Sequence, residues 1–345
     1  MLRLARLAFL VVSAALVIAM EVAAVPLTPA SGPWVMQDSG THAGLRGIHA
    51  VDAQVAWASG SGGTILRTTD GGATWHRCAT PPGADQLDFR GVWAWNADDA
   101  IVMSSGPGST SRLFATHDGG ATWRLLLVNG DPDGFYDTLA FRTREDGYVL
   151  GDPVGGRFVV LHTVDGGVSW IRASAGGLET DGVANGAFAA SNSALLVGPD
   201  GTLLFGTGGA RVYAGTVDGA FTHIDVPIAK AGDAAGVFAV AVRTEGGATG
   251  WIAVGGDYRH PSVGTGTAAW SEDGRHWMAA KVPPHGYRST VAWDAAGQRW
   301  IAAGTNGSDA STDGGRNWSP LDTGAWNALG LPWVVGPDGR IAKLR

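Results

Sequence analysis

The chain is poor in the groups that cross-links, charge recognition and cofactors use. Its 345 residues contain one cysteine, Cys78, so no internal disulfide can form and stability must come from packing. Charged residues make up 16% of it, the formal net charge is -7, and Lys and Arg form no runs. This acidic balance argues against nucleic acid or an anionic membrane as the main partner. His-Glu-x-x-His, Cys-x-x-Cys-His and a Gly-x-Gly-x-x-Gly between strand and helix are all missing, and the nine histidines are scattered. No metal and no cofactor is therefore expected. Glutamate is scarce: beyond residue 24 it occurs only as Glu145, Glu179, Glu245 and Glu272. Outside the N-terminus there is no long helical periodicity and no apolar run able to span a bilayer.

The N-terminus reads as a secretory signal over residues 1–24. Arg3 and Arg6 precede an apolar run of 14 residues, Leu7 to Met20, and Val22-Ala23-Ala24 forms a small-residue exit. The run is shorter than the roughly 20 residues a spanning helix needs. No Cys follows it, which excludes a lipoprotein anchor. The expectation is an exported protein, periplasmic or extracellular, with residues 25–345 as one soluble domain without a transmembrane segment. Retention of the leader as an anchor is the alternative.

Glycine and tryptophan are abundant instead. Gly accounts for 54 of 345 residues and Trp for 15, against a usual Gly share of about 7%. No Gly-X-Y period exists, so collagen is excluded. The excess belongs to a repeat. Thr68-Thr-Asp70-Gly-Gly-Ala-Thr-Trp75 returns around Asp118, Asp165 and Asp313, and in degraded form around Asp218 and Asp273. Successive Asp residues are 48, 47, 53, 55 and 40 residues apart, the length of one four-stranded propeller blade. Asp and the hydroxyl two residues before it can bond backbone N–H groups across a tight turn. Gly supplies positive φ, and Trp buries a large face against the neighbouring blade.

These observations predict an all-β, seven-bladed β-propeller of four-stranded blades, with the motif in the hairpin between third and outer strands. Six motifs supply six blades. The segment from Ala325 to Arg345 has too few strands for a seventh, and Gly32-Pro-Trp34 places a Trp like those opening the other outer strands. Residues 33–38 are thus expected to complete the last blade and close the ring, leaving no free sheet edge.

The repeat is the Asp-box, or BNR, motif. Together with Leu45-Arg-Gly-Ile48, Val55-Ala-Trp-Ala-Ser-Gly60, Gly151-Asp-Pro153, Gly255-Gly-Asp-Tyr258 and Gly286-Tyr-Arg-Ser289, it resembles the photosystem II stability/assembly factor-like proteins over nearly the whole mature chain. The resemblance implies a non-catalytic, assembly-factor or chaperone-like protein. Such a protein would bind a protein or peptide partner, in photosynthetic members a membrane reaction-centre protein, with an arginine-rich patch on one face. A monomer is expected.

Propeller geometry puts all six motif aspartates (Asp70, Asp118, Asp165, Asp218, Asp273, Asp313) on one rim, as hairpin staples. Aligning the inner strands puts Arg46, Arg90, Asp137, Asn185, Phe238, Arg288 and Asn327 at the opposite channel mouth, joined by Asp152, Asp257, Tyr258 and Tyr287 from nearby loops. Three arginines there would suit a carboxylate, a phosphate or an acidic peptide, or would each pair with a neighbouring Asp and close the funnel. The alternative function is a sialidase-like glycoside hydrolase using Arg46, Arg90, Arg288 and Tyr287, with acids drawn from Asp137, Asp152 and Asp257. No glutamate is placed to assist Tyr287. Cys78 reads as a small packing residue.

Overall fold

Short strands end at the glycine-bearing turns, and seven sheets of four antiparallel strands result. The computed structural model describes residues 32–180, 186–245 and 248–345, and Gly32–Arg345 forms one compact unit. The expected signal segment and Asn185 lie outside the described residues. Blade 1 runs outward from Leu45–Ala50 through Ala56–Gly60 and Thr64–Thr68 to His76–Arg77. The inner strands of blades 2 to 6 are Phe89–Ala94, Tyr136–Phe141, Leu195–Val197, Ala235–Glu245 and Thr290–Asp294. A single 3-10 turn, Gly108–Thr110, is the only helical element among the described residues.

Blade 7 is built from both ends of this unit. Ala328–Gly330, Trp333–Val335 and Ile341–Leu344 are completed by Trp34–Gln37 as the outer strand. Trp34 pairs with Leu344 and Gln37 with Ile341, so the expected closure by residues 33–38 is observed. The Gln37 side-chain oxygen accepts bonds from the indoles of Trp75 in blade 1 (3.0 Å) and Trp333 in blade 7 (3.1 Å). One amide thus ties the closing strand to the first blade.

The core is divided into seven apolar clusters, one in each gap between adjacent blades. Burying each large apolar side chain contributes about 1.5–3 kcal/mol, and Trp57, Trp300 and Trp333 are fully buried. Trp75, Trp123, Trp318 and Trp34 each enter the gap toward the preceding blade. Blade 4 has His223 in place of the motif Trp, and Phe221 fills the gap instead. The outer strand of blade 2 starts only at Arg124, two residues after Thr122. The reason is local: Thr122 N–H and hydroxyl are both held by Asp118, 2.9 and 2.5 Å away, which keeps that residue in the turn.

Candidate functional site

The motif turns are self-contained. In the first, Thr68 Oγ1 donates to Asp70 Oδ1 (2.8 Å) and accepts from Gly72 N (2.9 Å). Asp70 also accepts from Thr74 N (2.9 Å) and Thr74 Oγ1 (2.6 Å). Gly71 and Gly72 take φ of 72° and 84°, values only glycine adopts freely. Asp118 and Asp165 repeat the pattern, and Asp313 substitutes Asn317 for the hydroxyl. In the shorter turn Asp273 accepts from the N–H groups of Arg275 and His276, both at 2.8 Å. Around Asp218, Gly219 N–H closes the turn on Thr216 O at 3.2 Å. Hydrogen bonds from Thr74, Thr122 and Ser169 hold the carboxyls of Asp70, Asp118 and Asp165 down at about 2. Their oxygens are occupied by their own turns.

The opposite mouth is built by a different device. The inner strand of blade 1 slips register between Leu45 and Gly47, and that of blade 2 between Phe89 and Gly91. Blades 3 and 5 slip between Tyr136 and Thr138 and between Val237 and Ala239. Each slip is a bulge whose extra residue is re-aimed out of the sheet. The extra residues are Arg46, Arg90, Asp137 and Phe238, and all four line one cavity of about 580 Å³ at the channel mouth.

Blades 6 and 7 present Ser289 and Asn327 to the same cavity. The equivalence follows from one recurring bond between blades: Leu45 N–H to Gly336 O, Arg288 N–H to Gly255 O, and Trp326 N–H to Gly304 O. Arg288 therefore corresponds to Leu45, not to Arg46. This corrects the expected alignment by one residue, enough to send the side chain to the other face. Arg288 is fully buried. Its Nε donates to Asp309 Oδ2 (2.7 Å), Nη2 to the same carboxylate, and Nη1 to Asn306 Oδ1 (2.7 Å) and Tyr287 O (2.6 Å). The third arginine thus clamps the interior of blade 6 and does not reach the cavity.

Blade 4 supplies the floor. Its residues 186–193 make an excursion across the channel. Asn192 bonds both N–H and C=O of Leu139 in blade 3 (2.8 and 3.0 Å), while Ser191 donates to Ser289 O in blade 6 (2.7 Å). Arg90 Nη1 reaches Ala189 O at 3.4 Å. The channel mouth is therefore a cup, floored by Gly186 to Ala190. Sequence reasoning missed this plug and its Phe188.

The cup is divided by chemistry. Arg46 and Arg90 stand in blades 1 and 2. Arg90 Nε bonds Asp88 at 2.7 Å. Arg46 has no ion pair among the described residues, and its Nε is buried without a partner. Burial first, then the like charge of Arg90, lowers the Arg46 pKa, against opposing Asp88. Asp137 and Asp152 form the acidic sector. Asp137 is 1% exposed with Oδ2 unpartnered. Burial, reinforced by Asp152, pushes its carboxyl well above the usual range. Burial also raises Asp152, opposed by the Ala187 N–H bond of 2.8 Å. The aromatic sector stacks Phe188 on Phe238 at 3.6 Å, with Tyr287 and Tyr258 edge-on at 4.8 and 6.2 Å from Phe238.

Of the expected site residues, the structure brings together Arg46, Arg90, Asp137, Asp152, Tyr258 and Tyr287. Asp257 does not line the cup. Its carboxylate is occupied by Arg259 N–H and His260 Nδ1, both at 2.8 Å, and it borders a separate hollow of about 400 Å³ with Lys230 and His260. No glutamate lines the cup, and Tyr287 is buried with its pKa raised by that burial. The constellation a sialidase needs, three arginines and a Tyr–Glu pair, is not assembled among the described residues. Burial pushes the Cys78 thiol up to about 11. No group of three His, Cys, Asp or Glu able to hold a metal ion occurs among the described residues.

The chain is thus a seven-bladed β-propeller with a polarised cup at one channel mouth. No family model matches it, and no curated protein does. Solved structures match over most of its length. YCF48 bound to D1 peptide superposes with a TM-score of 0.64 at 16% identity, covering 91% of this chain and 97% of that one. YCF48 from Cyanidioschyzon merolae gives 0.62 at 17% identity, covering 91% and 99%. At this identity the likeness establishes a common fold. The propeller expected from the motif resemblance is the fold these neighbours share.

Proposed function

We propose that this chain is an exported, non-catalytic propeller of the photosystem II stability/assembly factor-like kind, holding a segment of a protein partner in the cup and assisting assembly of an envelope or membrane complex. The observation that carries this reading is the unpaired, half-buried Arg46 beside Arg90 on the wall of a cavity of about 580 Å³. A desolvated guanidinium without a partner is a strong donor site for a peptide carboxylate, and the volume suits a short segment rather than a whole domain. The solved complex of YCF48 with a D1 peptide shows that a propeller of this fold can take a peptide. The signal-like N-terminus supports export.

Titrating the protein with a fluorescent peptide ending in a free carboxylate, and with its C-terminal amide, tests the reading. Arg46→Gln and Arg90→Gln should each weaken the carboxylate form by about tenfold, as expected for a charge-assisted bond. Equal affinity of the double variant and the unaltered protein would refute it.

A further inference from the structure

The basic side of the cup accounts for one half of its chemistry and leaves the acidic side without a task. We propose that Asp137 and Asp152 form a subsite for a protonated primary amine, so that a bound peptide is held at both signs of charge. This rests on the cup being a peptide site.

Three observations converge. Asp137 lines the cup, is 1% exposed, and its Oδ2 has no hydrogen-bond partner. A buried acceptor left empty is costly, and a partner arriving with the ligand removes that cost. Secondly, neither Asp137 nor Asp152 makes an ion pair among the described residues. Arg90, the nearest candidate, has its Nε committed to Asp88. Thirdly, aromatic rings adjoin the acids. Ala187, whose N–H bonds Asp152, is followed by Phe188, stacked on Phe238 with Tyr258 edge-on. Carboxylates beside aromatic faces are the surroundings an organic cation prefers.

The geometry favours an ammonium over a guanidinium. A guanidinium fork wants both oxygens of one carboxylate, and Asp152 Oδ1 is already taken by the Ala187 N–H. An ammonium presents three donors in different directions and can donate to single oxygens of two residues on neighbouring strands. A hard metal cation would need six or more oxygen ligands, and the described residues offer no such cluster. Once Asp137 is ionised, the low dielectric around it strengthens its attraction for a bound cation, which offsets the burial that otherwise favours the protonated acid.

The amine could be a lysine side chain or a peptide N-terminus, and calorimetry with four tripeptides separates them. The probes are acetyl-Gly-Lys-Phe and its ε-acetylated form, and Gly-Gln-Phe with a free or an acetylated N-terminus, all with free C-termini. At least one free amine should bind about ten- to a hundredfold more tightly than its acetylated counterpart, and the pair that shows this identifies the source. Asp137→Asn and Asp152→Asn should each abolish that difference while leaving the acetylated probes unchanged. The amine subsite is overturned if acetylation alters neither pair, or if both variants weaken acetylated and free probes alike. Should Arg46→Gln weaken all four probes while acetylation has no effect, the amine subsite fails and the peptide reading stands. Absence of binding by every probe at millimolar concentration would overturn both.

Discussion

Gln37 is the residue on which ring closure can be tested most sharply. Its Oε1 accepts from Trp75 Nε1 and Trp333 Nε1, at 3.0 and 3.1 Å. Trp333 is fully buried and Trp75 is 8% exposed, so neither indole has free access to water. Gln37→Leu keeps the size and removes the acceptor, leaving two N–H groups buried and unpaired. Each orphaned donor costs about 1–3 kcal/mol. Partial solvation of Trp75 puts its share at the low end, and the sum is about 2–4 kcal/mol. Gln37→Glu retains both acceptor functions and should cost clearly less. Equilibrium urea unfolding followed by tryptophan fluorescence measures the loss as a lower midpoint at unchanged slope. A double-mutant cycle with Trp75→Phe should return a coupling of about 1 kcal/mol. If Gln37→Leu stays within 0.5 kcal/mol of the unaltered chain, a change within the usual range for surface substitutions, the amide does not fasten the ring and the reasoning fails.

Two further outcomes follow from buried and bonded charge. Arg288→Met leaves Asp309, 1% exposed, without its cation, and should cost about 3–5 kcal/mol; adding Asp309→Leu should recover much of this in the same urea assay, and a double variant as unstable as the single one would show that the clamp is not the cause. The carboxyls of Asp70, Asp118 and Asp165 sit at about 2 in the folded chain, below an unfolded value of about 4. The folded state thus binds fewer protons, and this contribution is complete above the unfolded value and lost as pH falls through the folded one. Urea midpoints should drop between about pH 5 and pH 2, and substituting all three by Asn should flatten that slope; an unchanged slope would refute the assignment.

Local chemistry made the scaffold legible. A hydroxyl, an Asp and two glycines close their turn with bonds among residues at most four apart, so four full copies of the pattern and two degraded ones located six hairpins without knowledge of anything distant. Ring closure was legible because Trp34 repeats the role of the motif Trp, and every propeller must hide its last edge. The cup was legible only in part, because it is made where the repeat is broken. Arg46 and Arg90 are each followed by Gly and preceded by a core residue, Leu45 or Phe89. In blade 6 the string Tyr287-Arg288-Ser289 looks alike, but there the arginine takes the core position and Ser289 the one that faces the cup. One signal was present in the sequence. Asp309 stands inside the third strand, Gly307–Ser311, of blade 6, where an uncompensated carboxylate would be costly, so a cation had to be found for it nearby, and Arg288 is that cation. The plug at residues 186–193 had no such signal, since no other blade contains its like and its anchors, Leu139 and Ser289, lie 53 and 98 residues away from their partners. The bulge supplies the physical reason for this division. It lets a blade change the one residue that faces the cup while the core pairing on either side stays fixed. The repeat can therefore be conserved in form while the cup acquires a cationic, an acidic, an aromatic and a neutral polar sector in turn.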